Sequence, residues 1–137
     1  MSDTSYKTLK LDFVAEGLFE DRKSRFIAQL CHVETESEAQ EFLAMVKTKH
    51  YNARHNVPAW ILEDGTERAS DDGEPSRTAG MPVLEVLRGA GLKNVCCVVT
   101  RYFGGTLLGP GGLVRAYTAA TQEALTAAEE ASAVQEM

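Results

Sequence analysis

Of the 137 residues only three are cysteine, four are proline and one is tryptophan. No apolar run comes near the ~20 residues of a membrane-spanning helix. Cys31, Cys96 and Cys97 are too few, and odd in number, for a disulfide framework, so a reducing cytoplasm is the expected setting. Nothing at the N-terminus has the pattern of a secretory signal. Positive charge is not in excess either. Fourteen basic against twenty acidic residues give −6, which argues against a chain held on nucleic acid by bulk charge. Internal repeats and low-complexity linkers are missing, so a second domain has no place in this length. What remains is ordinary: 44% hydrophobic and 25% charged residues, enough for one domain that buries its core without a metal or disulfide staple.

Charge is unevenly spread. Residues 123–137 carry Glu123, Glu129, Glu130 and Glu136 and no base, whereas residues 75–122 carry Arg77, Arg88, Lys93, Arg101 and Arg115 against Glu85 alone. A basic functional surface beside a solubilising acidic tail is one reading; uneven sampling of charge is the other.

Residues 7–19 and 24–33 alternate apolar and polar, through Leu9, Leu11 and Phe13 and then Phe26, Ala28 and Leu30, which predicts two strands. Glu20-Asp21-Arg22-Lys23 between them is a polar turn, so the pair reads as an antiparallel hairpin. Thr35 with Glu38 fits a capping box, and Ala39, Phe42, Leu43 and Val46 share one face of a helix ending near Lys49. Val57–Leu62 reads as a strand, with Pro58 near an edge or a strand start, and residues 66–80 as a polar loop. Val83, Val86, Leu87 and Ala90 mark a second helix, and Val95–Thr100 a strand covered on both faces. A glycine-rich loop, Gly104–Gly112, then opens a long alanine-rich helix from Leu113. This order implies an α/β (α+β) two-layer sandwich, a mixed sheet with helices on one face.

Two segments could carry chemistry. The first runs from Thr100 to Arg115 and holds five glycines, Gly104, Gly105, Gly109, Gly111 and Gly112, between Arg101-Tyr102 and Arg115. Glycines let backbone N–H groups approach a ligand, and a helix start adds unpaired donors and partial positive charge, so this is an anion- or phosphate-site pattern. Gly104 and Gly109 have the first spacing of a Walker loop, but Pro110-Gly111 stand where Lys and Ser/Thr are required, so it is not a P-loop. A turn needing several positive φ angles accounts for the same glycines. The second segment is Asp71, Asp72 and Glu74, with His55 ahead of the third strand. Such groups bind Mg²⁺ or do acid–base work; equally, three acids on a loop form a solvated turn bonded to its own backbone.

No ligand set of metal spacing accompanies them, so neither a metal nor a cofactor is expected. Cysteine chemistry is disfavoured too. Cys31 and His32 are strand neighbours pointing to opposite faces, and Cys96-Cys97 lie within an apolar run. His32 and His50 read as surface residues.

Four ordered blocks resemble the YigZ/IMPACT family: Lys23-Ser24-Arg25-Phe26-Ile27-Ala28; Ala53-Arg54-His55-Asn56 through Ala59-Trp60; Ser70-Asp71-Asp72-Gly73-Glu74-Pro75 with Thr78-Ala79-Gly80 and Pro82; and Asn94 through Tyr117. The resemblance covers about residues 20–120. It implies a ribosomal protein S5 domain 2-like fold and a connection with translation, since eukaryotic members regulate initiation under stress by protein–protein binding. Bacterial members usually add a ferredoxin-like C-terminal domain; its absence here is expected, leaving residues 1–137 as one IMPACT-type N-terminal domain. Two positions depart from the family pattern. Val57 stands where Cys is usual, excluding a thiol role there, and Arg77 where a small residue is common.

The function expected is therefore a non-enzymatic regulatory module of translation whose partner is RNA, the ribosome or a translation-regulating protein, with no membrane involved. Arg101, Tyr102 and Arg115 around the glycines would contact the anion, with His55, Asp71, Asp72 and Glu74 as rim. The alternative is an enzyme on a phosphorylated small molecule or nucleotide, because the fold includes kinases with glycine-rich loops. The lack of a nucleotide motif and a catalytic base speaks against it.

Overall fold

A computed structural model describes residues 5–137. In chain order the elements are β1 (Lys7–Leu9), β2 (Val14–Asp21), β3 (Ser24–His32), α1 (Glu36–Lys49), β4 (His55–Ile61), β5 (Glu67–Ala69), α2 (Gly80–Gly89), β6 (Val95–Tyr102), α3 (Gly109–Glu130) and β7 (Val134–Glu136). Five strands form one sheet in the order β2-β3-β6-β4-β5, and β1 pairs with β7 in a separate ribbon.

The hairpin is as expected, Asp21 pairing with Ser24 across a two-residue loop. Both loop residues, Arg22 (φ 48°) and Lys23 (φ 68°), take the left-handed conformation that matches the twist of the flanking strands. The strand expected over residues 7–19 is instead broken in two. Asp12 is left-handed (φ 62°) and the Phe13 N–H returns to the Lys10 carbonyl, so the chain turns between β1 and β2. The α1 cap is present: Thr35 Oγ1 accepts from the Glu38 N–H, while Glu38 accepts from the Glu34 N–H.

The fold class is the expected mixture of helices packed on a sheet, but two details differ. All pairings within the five-stranded sheet are antiparallel rather than mixed. The connection through α1 makes β3 and β4 run the same way, but they lie one strand apart, and β6 fills the gap running against both. Nor do the helices share one face. One core joins the sheet (Leu30, Val57, Val99) to α2 and α3 through Val83, Leu87 and Tyr117. Another joins the opposite face (Cys31, Trp60, Cys96, Val98) to α1 through Ala39, Phe42 and Val46. The central strands are apolar on both sides, so each side requires a cover. On β2, a Cβ at Gly17 would overlap the Ala124 backbone nitrogen. Glycine on the strand and Ala120 and Ala124 on α3 thus let two backbones touch.

Candidate functional site

The ends of β4 and β6, the turn before α2 and the start of α3 converge at one end of the sheet. Arg101 continues the alternation of Val95, Cys97 and Val99 and so points to the α2–α3 side. It is 4% exposed. Its Nη1 donates to both oxygens of buried Glu74, at 2.9 and 2.8 Å, and Nη2 reaches Ser24 Oγ at 3.4 Å. The guanidinium also faces the Phe26 and Phe103 rings, 5.5 and 5.6 Å from their centroids. Its Nε–H has no acceptor among the described residues.

Glu74 takes a further donor: the Tyr117 hydroxyl donates to Oε2 at 2.6 Å, and His55 Nε2 lies 3.4 Å from Oε1, a contact that is an ion pair only when the imidazole is protonated. Burial, reinforced by the neighbouring Glu74 carboxylate, pushes the Tyr117 hydroxyl far above its ordinary pKa, so it remains a donor. His55 Nδ1 is 2.7 Å from the Asp72 carbonyl, which can only accept, so that nitrogen carries the proton. The Asp72 carboxylate takes the Asn56 N–H at 2.7 Å. Asp71 caps α2 from a distance, accepting from the Gly80, Ala79 and Arg77 N–H groups at 2.9, 3.2 and 2.9 Å. Half-buried His55 and Asp72 thus meet buried Glu74 and Arg101 in one network, and the acids of the turn are engaged by backbone and side-chain donors. Among the described residues no group of three or more His, Cys, Asp and Glu is placed to hold a metal ion.

The glycine segment wraps over this network. Gly104 lies so close to the hairpin loop that a Cβ would overlap the Lys23 carbonyl carbon, and its N–H donates to Ser24 Oγ at 3.1 Å. Gly105 (φ 92°) and Gly109 (φ 75°) need the left-handed region. The helix opens at Gly109, four residues before the expected Leu113, so Gly109, Pro110, Gly111 and Gly112 form its first turn. Its N-cap, Leu108, supplies no side-chain acceptor. The N–H groups of Gly109 and Gly111 belong to a first turn that has no intrahelical acceptors for them. Below this turn a cleft of about 200 Å³ has an apolar wall of Pro75, Leu108, Pro110 and Leu113 and a polar one of Glu74 and Arg101.

The remaining expected residues sit apart. Tyr102 faces the α1 side, where its hydroxyl meets His50 Nδ1 at 2.5 Å. Arg115 is exposed and folds back towards Gly111, its Nη1 3.4 Å from where a Gly111 Cβ would be. His32 and His50, expected at the surface, are half-buried and bonded, His32 to Thr8 and Glu34. Sequence reading missed the exposed cations around the loop. Arg22 donates to the Leu107 carbonyl at 3.4 Å, Lys23 adjoins Gly104, and Arg54 covers the Phe103 ring at 4.4 Å. It also missed Ser24 and Tyr117, and that Arg101 points inward. For Arg101 one signal was available: it follows Cys97 and Val99 at a period of two, on the face those residues bury.

A family model for the Impact N-terminal domain matches residues 22–125, most of the chain. The chain belongs to the IMPACT family. It is 52% identical over 123 residues to the IMPACT family member YvyE of Bacillus subtilis, covering 88% of this chain and 56% of that protein. Among solved structures, one described as a hypothetical protein superposes with a TM-score of 0.88 at 36% identity, covering 97% of this chain and 64% of the other. The two-domain translational regulator Yih1 superposes with a TM-score of 0.55 at 30% identity, covering 85% and 48%. The chain spans about half the length of the bacterial relatives it matches.

Proposed function

We propose that this IMPACT-family chain is a recognition domain of translation regulation, working in the cytoplasm by binding rather than by catalysis, and that it engages RNA phosphates of the translation machinery around the glycine segment. The observation that carries this reading is the gathering of exposed Arg22, Lys23, Arg54 and Arg115, from three separate stretches of chain, around one loop of a protein with net charge −6. The regulator named among the structural relatives supports the link with translation. Binding is favoured over catalysis because Arg101 and Tyr117 are both bonded to Glu74 and His55 Nδ1 is bonded to the Asp72 carbonyl.

Titrating ribosomes or a single-stranded RNA against the protein at several salt concentrations tests this. Four phosphate contacts give a log–log salt slope of about −3, at roughly −0.7 per contact. Reversing Arg22, Lys23, Arg54 and Arg115 to glutamate together should abolish binding for all sequences alike, because phosphate contacts do not read bases. Salt-independent binding that survives the reversal would overturn the RNA reading in favour of a protein partner seated on exposed Leu107 and half-buried Phe103.

A further inference from the structure

We infer that the outer edge of β2 docks an extended basic segment of a partner protein, which joins the sheet as an added strand with the pattern apolar–x–Lys/Arg–x–apolar. This surface is separate from the glycine segment, and the inference does not rest on the RNA reading. β2 ends the five-stranded sheet, and its eight residues pair with β3 in unbroken register from Val14 to Asp21. Every second residue therefore turns its N–H and C=O away from β3. Among the described residues no backbone group outside the sheet bonds to them. Open edges are commonly shortened, bulged, broken by proline or covered. β2 is long, has no bulge and holds no proline. It is also held in place from one side, because Ala15 lies in the core and Gly17 rests on the α3 backbone. A strand added to such an edge gains a ladder of main-chain hydrogen bonds, with alternate side chains left to set specificity.

The side chains choose the occupant. With Ala15 and Gly17 towards α3, Val14, Glu16, Leu18 and Glu20 alternate onto the opposite face. There α1 lies over β4 and β6, and Val14 and Leu18 stand 46% and 49% exposed. An added strand sets apolar residues directly opposite these two and a base opposite Glu16, the pairings that stabilise neighbouring strands. Charge points the same way. β2 carries three acids and no base. Glu20 shares Arg25, whereas Glu16 has neither a hydrogen bond nor an ion pair among the described residues. On the α3 side, exposed Glu123 belongs to the stretch of acids without a base, and its backbone passes directly beside Gly17. The edge is thus acidic on both faces, which suits a basic segment. A second copy is a poor occupant. Antiparallel pairing of β2 with β2 would set Glu16 and Glu20 opposite or diagonal to their counterparts, within about 5–8 Å.

The test is an NMR titration of the whole chain with the peptide acetyl-Lys-Val-Thr-Lys-Thr-Val-Lys-amide. Saturable shifts should centre on β2, and amide exchange should slow at every second residue of that strand. Glu16→Lys changes an exposed side chain without a partner and should weaken the peptide at least fivefold while leaving the fold intact. Two N-methylated peptides then separate strand addition from simple charge attraction. One is methylated at both valines and the central lysine, the other at both threonines. Only one of these sets can face β2, so one peptide should lose binding and the other keep it. No saturable shift, unchanged binding by Glu16→Lys, or the two methylated peptides behaving alike would each overturn the inference. So would β2 signals that move with protein concentration in the absence of peptide, which would make a second copy the occupant. Adding RNA to the same sample reports on the glycine segment, so failure of the functional reading is seen separately.

Discussion

Replacing Glu74 by glutamine changes one atom's identity and removes one charge, at the point where four side chains converge. In the parent, two carboxylate oxygens receive Arg101 Nη1 twice, the Tyr117 hydroxyl, and the approach of His55 Nε2. Glutamine keeps the shape but offers one acceptor oxygen and no charge, so the guanidinium of Arg101 is left buried without its counter-ion. Breaking a buried pair from one side costs about 3–5 kcal/mol. Against a total stability of ~5–15 kcal/mol this is a large fraction. With a urea slope of ~2 kcal/mol/M, within the range for small domains, the unfolding midpoint should fall by about 2 M. Urea denaturation followed by circular dichroism at pH 7 measures it. The double variant Glu74→Leu with Arg101→Met removes both charges and should recover at least half the loss, the remainder being the unpaired Tyr117 hydroxyl, which costs about 1–3 kcal/mol. A Glu74→Gln midpoint within about 0.3 M of the parent, less than 1 kcal/mol at that slope, would refute the argument that this pair is a buried, mutually dependent unit.

Gly17→Ala should destabilise by more than the ~1–3 kcal/mol usual for overpacking, because the added carbon meets α3 backbone and not a flexible side chain; thermal denaturation measures it. Asp71→Ala removes the acceptor shared by three N–H groups ahead of and within α2 and should cost about 1–2 kcal/mol in the same assay, with hydrogen exchange rising first in that helix. His50 has its pKa lowered by burial and then by Lys49, so the folded state resists its protonation. Its NMR titration midpoint should lie below the ordinary 6.5, and its contribution to stability, full above that value, should be lost as pH falls towards the folded midpoint.

Where a local pattern decided the outcome, the sequence was readable. Ala39, Phe42 and Val46 do form the buried stripe of α1, and β6 is covered on both faces over most of its length. A stripe fixes which side of a helix is buried, not which side of the sheet receives it, so the position of α1 was not legible. Strand direction was likewise invisible for β6, whose neighbours β3 and β4 come from distant parts of the chain. β1 and β7, at three residues each, are too short to show a period; they pair as a ribbon, and β1 is further held by the Lys7–Leu92 bridge and by Leu9 in the core. At the site, the sequence brought forward His55, Asp71, Asp72 and Glu74 as a group, and the structure does bring His55, Asp72 and Glu74 together. Their bonding to Arg101, Tyr117 and backbone depends on long-range packing that spacing does not encode.

The place of β6 also bears on how this chain is made. It is the last strand of the five-stranded sheet to be synthesised and the one at its centre. As the polypeptide emerges, the β2–β3 and β4–β5 hairpins form early from neighbouring residues, but each keeps an inner edge with open hydrogen-bonding groups. At ~5–20 residues per second, the interval between the end of β4 and the arrival of β6 is roughly two to seven seconds. During that time β3 and β4 are unpaired edges of the kind that invite association with other chains. The order of synthesis favours folding by insertion, a late strand entering between two waiting ones, and a nascent chain stalled with β5 outside the ribosome and β6 still inside it should be the state most prone to aggregate.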